Sequence, residues 1–126
     1  MIQDRTIVTV ADNTGAKVGR VFKVLGGSKR RYSQLGDVVV IAIQTAEPRK
    51  AVKKKDVVKA VVVRQRKPFR RANGSYVRFD DNAVVVLAKN PKDPFEPKAN
   101  RVFGPIPREI VDMGYQKIGS LAPEVV

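Results

Sequence analysis

The chain has 126 residues, 25 Lys and Arg against 12 Asp and Glu, a net charge of +13, 43% hydrophobic residues, and neither Cys nor His. Such a length fits one domain with a real core, and so large a charge repels itself and suits a polyanionic partner. Disulfides, Cys/His zinc sites and His-based triads are excluded, and no apolar run approaches the roughly 20 residues of a membrane span.

Valine supplies 22 residues and Trp none, a balance that favours pleated strands over helices. Met1 to Arg5 lacks an apolar signal core, so a cytosolic or organelle-made protein is expected. Ile7 to Val10 reads as a first strand, and Asp12-Asn13-Thr14-Gly15 follows as turn chemistry. Val18 to Leu25 is a second strand, stopped by Gly26-Gly27. Val38 to Thr45 is a third, with a run apolar on both faces that calls for burial on both sides or shielding by a helix or loop. Val57 to Val63, Tyr76 to Phe79 and Ala83 to Leu87 complete the set. Short strands separated by turn signals suggest a small barrel. Asn73-Gly74 places a turn between the valine-rich segments and predicts a hairpin there. Beyond Leu87 the five prolines of residues 89 to 107 read as an extended loop. Pro107 to Gly114 has Pro at the start and Gly past the end of one short helix, and Tyr115 to Leu121 gives a further turn or two. The whole is one domain, with barrel and hairpin in residues 1–88 and a Pro-rich loop and helical cap in 89–126.

Cations gather in three places. Lys29, Arg30 and Arg31 follow Gly26-Gly27-Ser28; Arg49, Lys50, Lys53, Lys54 and Lys55 lie between the third and fourth strands; Arg64, Arg66, Lys67, Arg70 and Arg71 occupy the hairpin, five cations in eight residues. Between Lys29 and Arg71 the only acids are Asp37, Glu47 and Asp56. Phosphates are held by several cations spaced along a surface, so all thirteen residues are candidate RNA ligands. Tyr32 and Phe69 sit among cations and are placed to stack on bases or on arginine, whereas Phe22, Phe79 and Phe103 read as core. Asp12, Asp80 and Asp81 are the only carboxylates worth testing as catalysts, and Asp-Asp-Asn is ordinary turn chemistry. No P-loop pattern occurs. No catalytic residue, cofactor or metal is expected.

The segments Ala60 to Arg64, Asn73-Gly74-Ser75, Arg78 to Ala83 and Val84 to Leu87 together resemble the signature of the universal large-subunit ribosomal protein fourteen family, in its bacterial or organellar form. Met1-Ile2-Gln3, Val10 to Ala16, Lys23 to Ser28 and Tyr32 resemble its N-terminal half. Arg101 to Pro105, Arg108-Glu109 and Ser120 to Val125 resemble its C-terminal end. The resemblance implies a mainly β fold: a five-stranded β-barrel with a projecting basic hairpin and short C-terminal helices. It implies binding of large-subunit rRNA and contact with small-subunit rRNA at an intersubunit bridge. It also implies ribosomal proteins three and nineteen as neighbours, and a bacterial cytoplasmic or an organellar ribosome as the location. In that branch a silencing factor docks at positions that correspond to Asn100, Arg101, Lys117 and Ser120. The chain departs from the family pattern in a slightly longer Lys89–Ala99 loop, in Asn100 where Thr is frequent, and in Gly119 where a branched aliphatic is usual. All three bear on factor docking rather than on the barrel.

The expected function is therefore a non-catalytic, rRNA-binding constituent of the large subunit. A free-standing small-barrel RNA-binding protein or RNA chaperone is the alternative, to be separated by co-sedimentation with large subunits after a high-salt wash. A hydrolase using Asp80 and Asp81 is a second, and would need turnover lost in Asp81→Asn.

Overall fold

The structure, a computed structural model, describes residues 2–26, 31–50, 52–89 and 92–126. Five strands close into a barrel: β1 (Ile7–Val10), β2 (Ala16–Val24), β3 (Val38–Ala46), β4 (Val57–Arg64) and β7 (Ala83–Val86), in the order β1-β2-β3-β4-β7. Neighbours are antiparallel except where β7 pairs with β1 in parallel, Thr9 beside Ala83 and Val10 beside Val84. That single parallel pairing closes the wall and leaves no barrel edge. A short arm, β5 (Phe69–Arg70) with β6 (Tyr76–Val77), grows from the connection between β4 and β7. After the Pro-rich loop come β8 (Pro105–Ile106), α1 (Arg108–Asp112), α2 (Gln116–Leu121) and β9 (Glu124–Val125), with β8 and β9 paired in parallel.

Alternation explains the barrel interior: Val39, Ile41 and Ile43 of β3 point inward and are at most 1% exposed. The outward set, Val38, Val40 and Ala42, is only half-buried. Thus β3 is shielded on one face, while β4 and β7 are the strands buried on both. Ala60 to Val63 and Ala83 to Val86 are all at 0% exposure. They belong to one apolar cluster that also includes Ile106, Ile110, Tyr115 and Ile118 of the C-terminal segment. Among the described residues no helix is long and apolar enough to cross a membrane.

The helices start and stop as the sequence suggests. Pro107 is extended at φ −76°, ψ 149° and precedes α1, and Gly114 just beyond it takes φ +113°, a conformation open to glycine. Asp12 fixes the β1–β2 turn to β7: Thr14 donates from N–H and Oγ1–H to Oδ1 at 3.2 and 2.6 Å, and Val86 N–H donates to Oδ2 at 2.8 Å. Burial pushes its carboxyl up from the ordinary value, and these three bonds pull the other way. That is a turn-fixing role, with both oxygens occupied.

Two aromatic assignments are corrected. Phe79 is buried, but Phe22 is 66% and Phe103 50% exposed. A β-bulge between Val21 and Lys23 adds a residue to β2 and turns Phe22 outward. Phe103 follows Val102, which takes the inward position beside Asp12.

Candidate nucleic-acid interface

Strand directions sort the basic clusters onto opposite ends of the barrel. The start of β3 and the ends of β2 and β4 lie together, because Val24 pairs with Val39 and Val38 with Val61. This end carries the 25–37 connection and the arm. The end of β3 and the starts of β2 and β4 form the other, where Val52 N–H donates to Thr14 O and Glu47 N–H to Gly15 O. This second end carries Arg49, Lys50, Lys53, Lys54 and Lys55, all exposed. Arg49 and Lys55 take positive φ, 66° and 72°, so the loop turns sharply at both. The stem of Lys50 lies against Gly15, whose missing side chain makes the room.

At the first end, Lys29 and Arg30 lie outside the described residues, as do Gly27 and Ser28, while Arg31 is exposed. The arm divides its five cations. Arg66, Lys67 and Arg70 are exposed. Arg66 holds the arm's base through its Nε–H to Asp80 O at 2.8 Å, and its backbone N–H donates to Asn82 Oδ1 at 2.9 Å. Arg71 is half-buried: its Nε–H and Nη2–H donate to Glu109 Oε1 and Oε2 at 2.7 and 3.2 Å, Nη2 also reaches Val126 O at 2.6 Å, and the guanidinium lies 5.8 Å from the Phe69 ring centre. The expected stacking of Phe69 is thus on arginine.

Arg64 is the principal correction. The sequence reads it as a projecting cation, but it ends β4 and is 7% exposed. Its Nε–H and Nη2–H donate to the two Asp81 oxygens at 3.0 and 3.3 Å, and Nη1 donates to Phe103 O at 2.8 Å and Pro105 O at 3.2 Å. A buried guanidinium needs a carboxylate and several acceptors, and this one has them. The same bonds occupy Asp81, which leaves it a structural partner and not a nucleophile.

The proposed protein-docking residues fall in two groups. Asn100 and Arg101 are exposed beside the β1–β2 turn: Asn100 N–H donates to Asn13 Oδ1 at 3.1 Å and Asn13 N–H to Arg101 O at 3.3 Å. Lys117 and Ser120 lie on α2. Lys117 Nζ donates to Asp93 Oδ2 at 3.1 Å. This pair holds the Asp93 carboxyl below its ordinary value and raises the Lys117 ammonium. Ser120 Oγ–H donates back to Lys117 O at 2.7 Å. Beside them Phe95 meets Tyr115 edge-on with ring centres 5.0 Å apart, so the Pro-rich loop is stitched to α2.

Sequence reading missed the cations of the strands themselves, Arg20, Lys23 and Lys59, which are exposed on the outer wall. They are spread through the sequence, and only strand register collects them. Among the described residues no group of His, Cys, Asp and Glu is placed to hold a metal.

Fold and surface together define a small, basic β-barrel protein whose charged groups stand on the loops and outer wall of a rigid frame. The family described as ribosomal protein L14p/L23e matches residues 1–126, the whole chain, and the chain belongs to that family. It is a structural constituent of the large ribosomal subunit, in a ribonucleoprotein that carries out translation, and its family is not an enzymatic one. Its place is the ribosome, cytoplasmic or organellar, in association with rRNA and other ribosomal proteins.

Proposed function

We propose that the chain ties two segments of large-subunit rRNA together, one at each end of the barrel, and contributes a face to the intersubunit interface. The observation that carries this reading is the division of exposed cations between opposite ends of a closed wall: Arg31, Arg66, Lys67 and Arg70 at one, Arg49, Lys50, Lys53, Lys54 and Lys55 at the other. Phosphate contacts position without reading sequence, and a rigid spacer between two such surfaces fixes the distance between the RNA segments they hold. Arg64 and Arg71 support the arm from within.

The same reading includes small-subunit rRNA at the bridge, ribosomal proteins three and nineteen as neighbours, and a silencing factor at Asn100, Arg101, Lys117 and Ser120. For the last, an incoming carboxylate must share Lys117 with Asp93 or replace it.

The test is salt-dependent binding to large-subunit rRNA fragments. Replacing Arg31, Arg66, Lys67 and Arg70 with Gln should lower the log–log salt slope by up to about 3 to 4, at roughly 0.9 per duplex-like phosphate contact. An unchanged slope in this variant and in its counterpart at the other end rejects the phosphate-binding assignment.

A further inference from the structure

The arm and the tail that follows α2 support each other, and neither is built to stand alone. Strands β5, β6, β8 and β9 have two residues each, and both residues of β9 are exposed. An isolated two-stranded ribbon is at best marginal in water. Two arginines bracket β5 and carry both structures. Arg64, before it, donates from Nη1 to Phe103 O and Pro105 O at the entrance to β8. Arg71, after it, donates to both Glu109 oxygens on α1 and to Val126 O. Val126 O also accepts from Arg108 N–H at 3.1 Å, and Val126 N–H donates to Ile106 O at 2.9 Å. One carbonyl thus joins the arm, the start of α1 and the tail.

Elements that are marginal singly and share their bonds open together, because opening one strands the buried partners of the other. The Arg71 clamp also sets the sign of any effect of a ligand. Its side chain is only 13% exposed, and Phe69 lies against the guanidinium. A phosphate that approaches the arm meets the exposed Arg66, Lys67 and Arg70. Drawing Arg71 outward would leave Glu109 and Val126 O without their charged donor, which is costly at a partly buried site. A phosphate therefore gains by binding the arm with the clamp closed.

We propose that arm and tail open and close as one unit. A polyanion held by the arm then fixes the C-terminal segment as well, and a partner held by the C-terminal segment tightens the arm's grip on its polyanion, since such coupling is reciprocal. The use of this coupling rests on the phosphate-binding reading of the arm, whereas the coupling itself belongs to the free chain.

The test is amide exchange in the full-length chain, followed residue by residue by NMR. Gly74→Val acts at the arm tip, where an added Cβ meets nothing within 4 Å, so any effect on the tail must travel through the arm. It should speed exchange at Arg71, Arg108 and Val126 by one common factor, about fivefold or more. The barrel amide of Val62, which donates to Asp37 O, should keep its rate. In an Arg71→Gln background, where the clamp is already cut, adding Gly74→Val should leave Arg108 and Val126 unchanged. A short RNA duplex of about twelve base pairs, bound at low salt, should slow exchange at Arg108 and Val126 in the parent but not in Arg71→Gln. Unchanged tail exchange in Gly74→Val, an equal response in the Arg71→Gln background, or faster tail exchange on adding the duplex would each overturn the proposal. Should the duplex fail to bind at all, the phosphate-binding reading falls, and the pair of variants alone decides the coupling.

Discussion

Single residues decide whether a cation binds outward or inward, and Arg64 is the clearest case. Removing its guanidinium strands a carboxylate and two carbonyls, Asp81, Phe103 O and Pro105 O, at a buried joint. Arg64→Gln should cost about 3 kcal/mol in urea unfolding, the low end for breaking a buried pair because Asp81 keeps some solvent. Arg64→Lys should recover little, since an ammonium cannot reproduce the fork. Nearly unchanged unfolding in Arg64→Gln would contradict this role. Gly104 belongs to the same joint, at φ +79° and with an added Cβ running into Arg64 Nη1, so Gly104→Ala should be destabilising too. Gly119, one of the three departures from the family pattern, leaves no room for a side chain: an added Cβ would meet Val111 Cγ2 at 2.5 Å. Gly119→Val should therefore lower the melting temperature, and Val111→Ala should restore part of the loss, a non-additivity that a double-mutant cycle measures. Nothing local in the sequence separates Arg64 from Arg66 two positions on. What separates them is that β4 extends to Arg64 beside Ala83, which brings Asp81 within reach.

At the scale of elements, the arm stands on a turn and a clamp. Gly74 takes φ +88°, and an added Cβ would meet nothing within 4 Å. Its cost is therefore conformational alone: Gly74→Val should destabilise the arm by about 1 kcal/mol or more, and Gly74→Asn by less. The effect should appear as faster amide exchange at Arg71, whose N–H donates to Ser75 O at 2.8 Å and closes the turn. Equal exchange in parent and variant would remove Gly74 from this role. The clamp is Arg71 on Glu109, and Arg71→Gln should loosen the arm without disturbing the barrel amides. A second tie, Asp93 with Lys117, holds the Pro-rich loop to α2. The depressed Asp93 carboxyl contributes above its ordinary 3.8 and is lost as pH falls through the folded value; the raised Lys117 contributes below 10.5 and is lost as pH rises beyond it. The tie should be constant from about pH 5 to 9. Below pH 4 the Tyr115 ring resonances should move in the parent and not in Asp93→Asn. Most elements were legible: valine runs marked the strands, Asn73-Gly74 the turn, and Pro107 and Gly114 the limits of α1. The parallel pair β8–β9 was not, since two-residue strands carry no periodicity, and neither was the bulge that exposes Phe22.

For the whole molecule, the sequence showed three basic clusters but not which of them share an end, because that depends on how the barrel closes. If the two ends grip separate RNA segments, the chain should bring two unlinked large-subunit rRNA fragments into one complex. Neutralising Arg49, Lys53 and Lys54 should abolish the ternary complex while leaving binding at the arm end. Persistence of the ternary complex in that variant would mean that the second end does not hold RNA. Closure also fixes an order of events. The last seam joins Thr9 and Val10 to Ala83 and Val84, residues far apart along the chain, so the first strand to leave the ribosome is among the last to find both its neighbours. Bringing such distant segments together is entropically costly and makes folding slow relative to helical proteins of this size. During synthesis, β1 can pair with β2 early but must wait for β7 before the wall is complete. Until then the chain has a half-formed sheet with open edges. Truncations that stop before Ala83 should therefore stay unassembled and prone to aggregate, which makes closure of this seam a natural checkpoint between synthesis and incorporation.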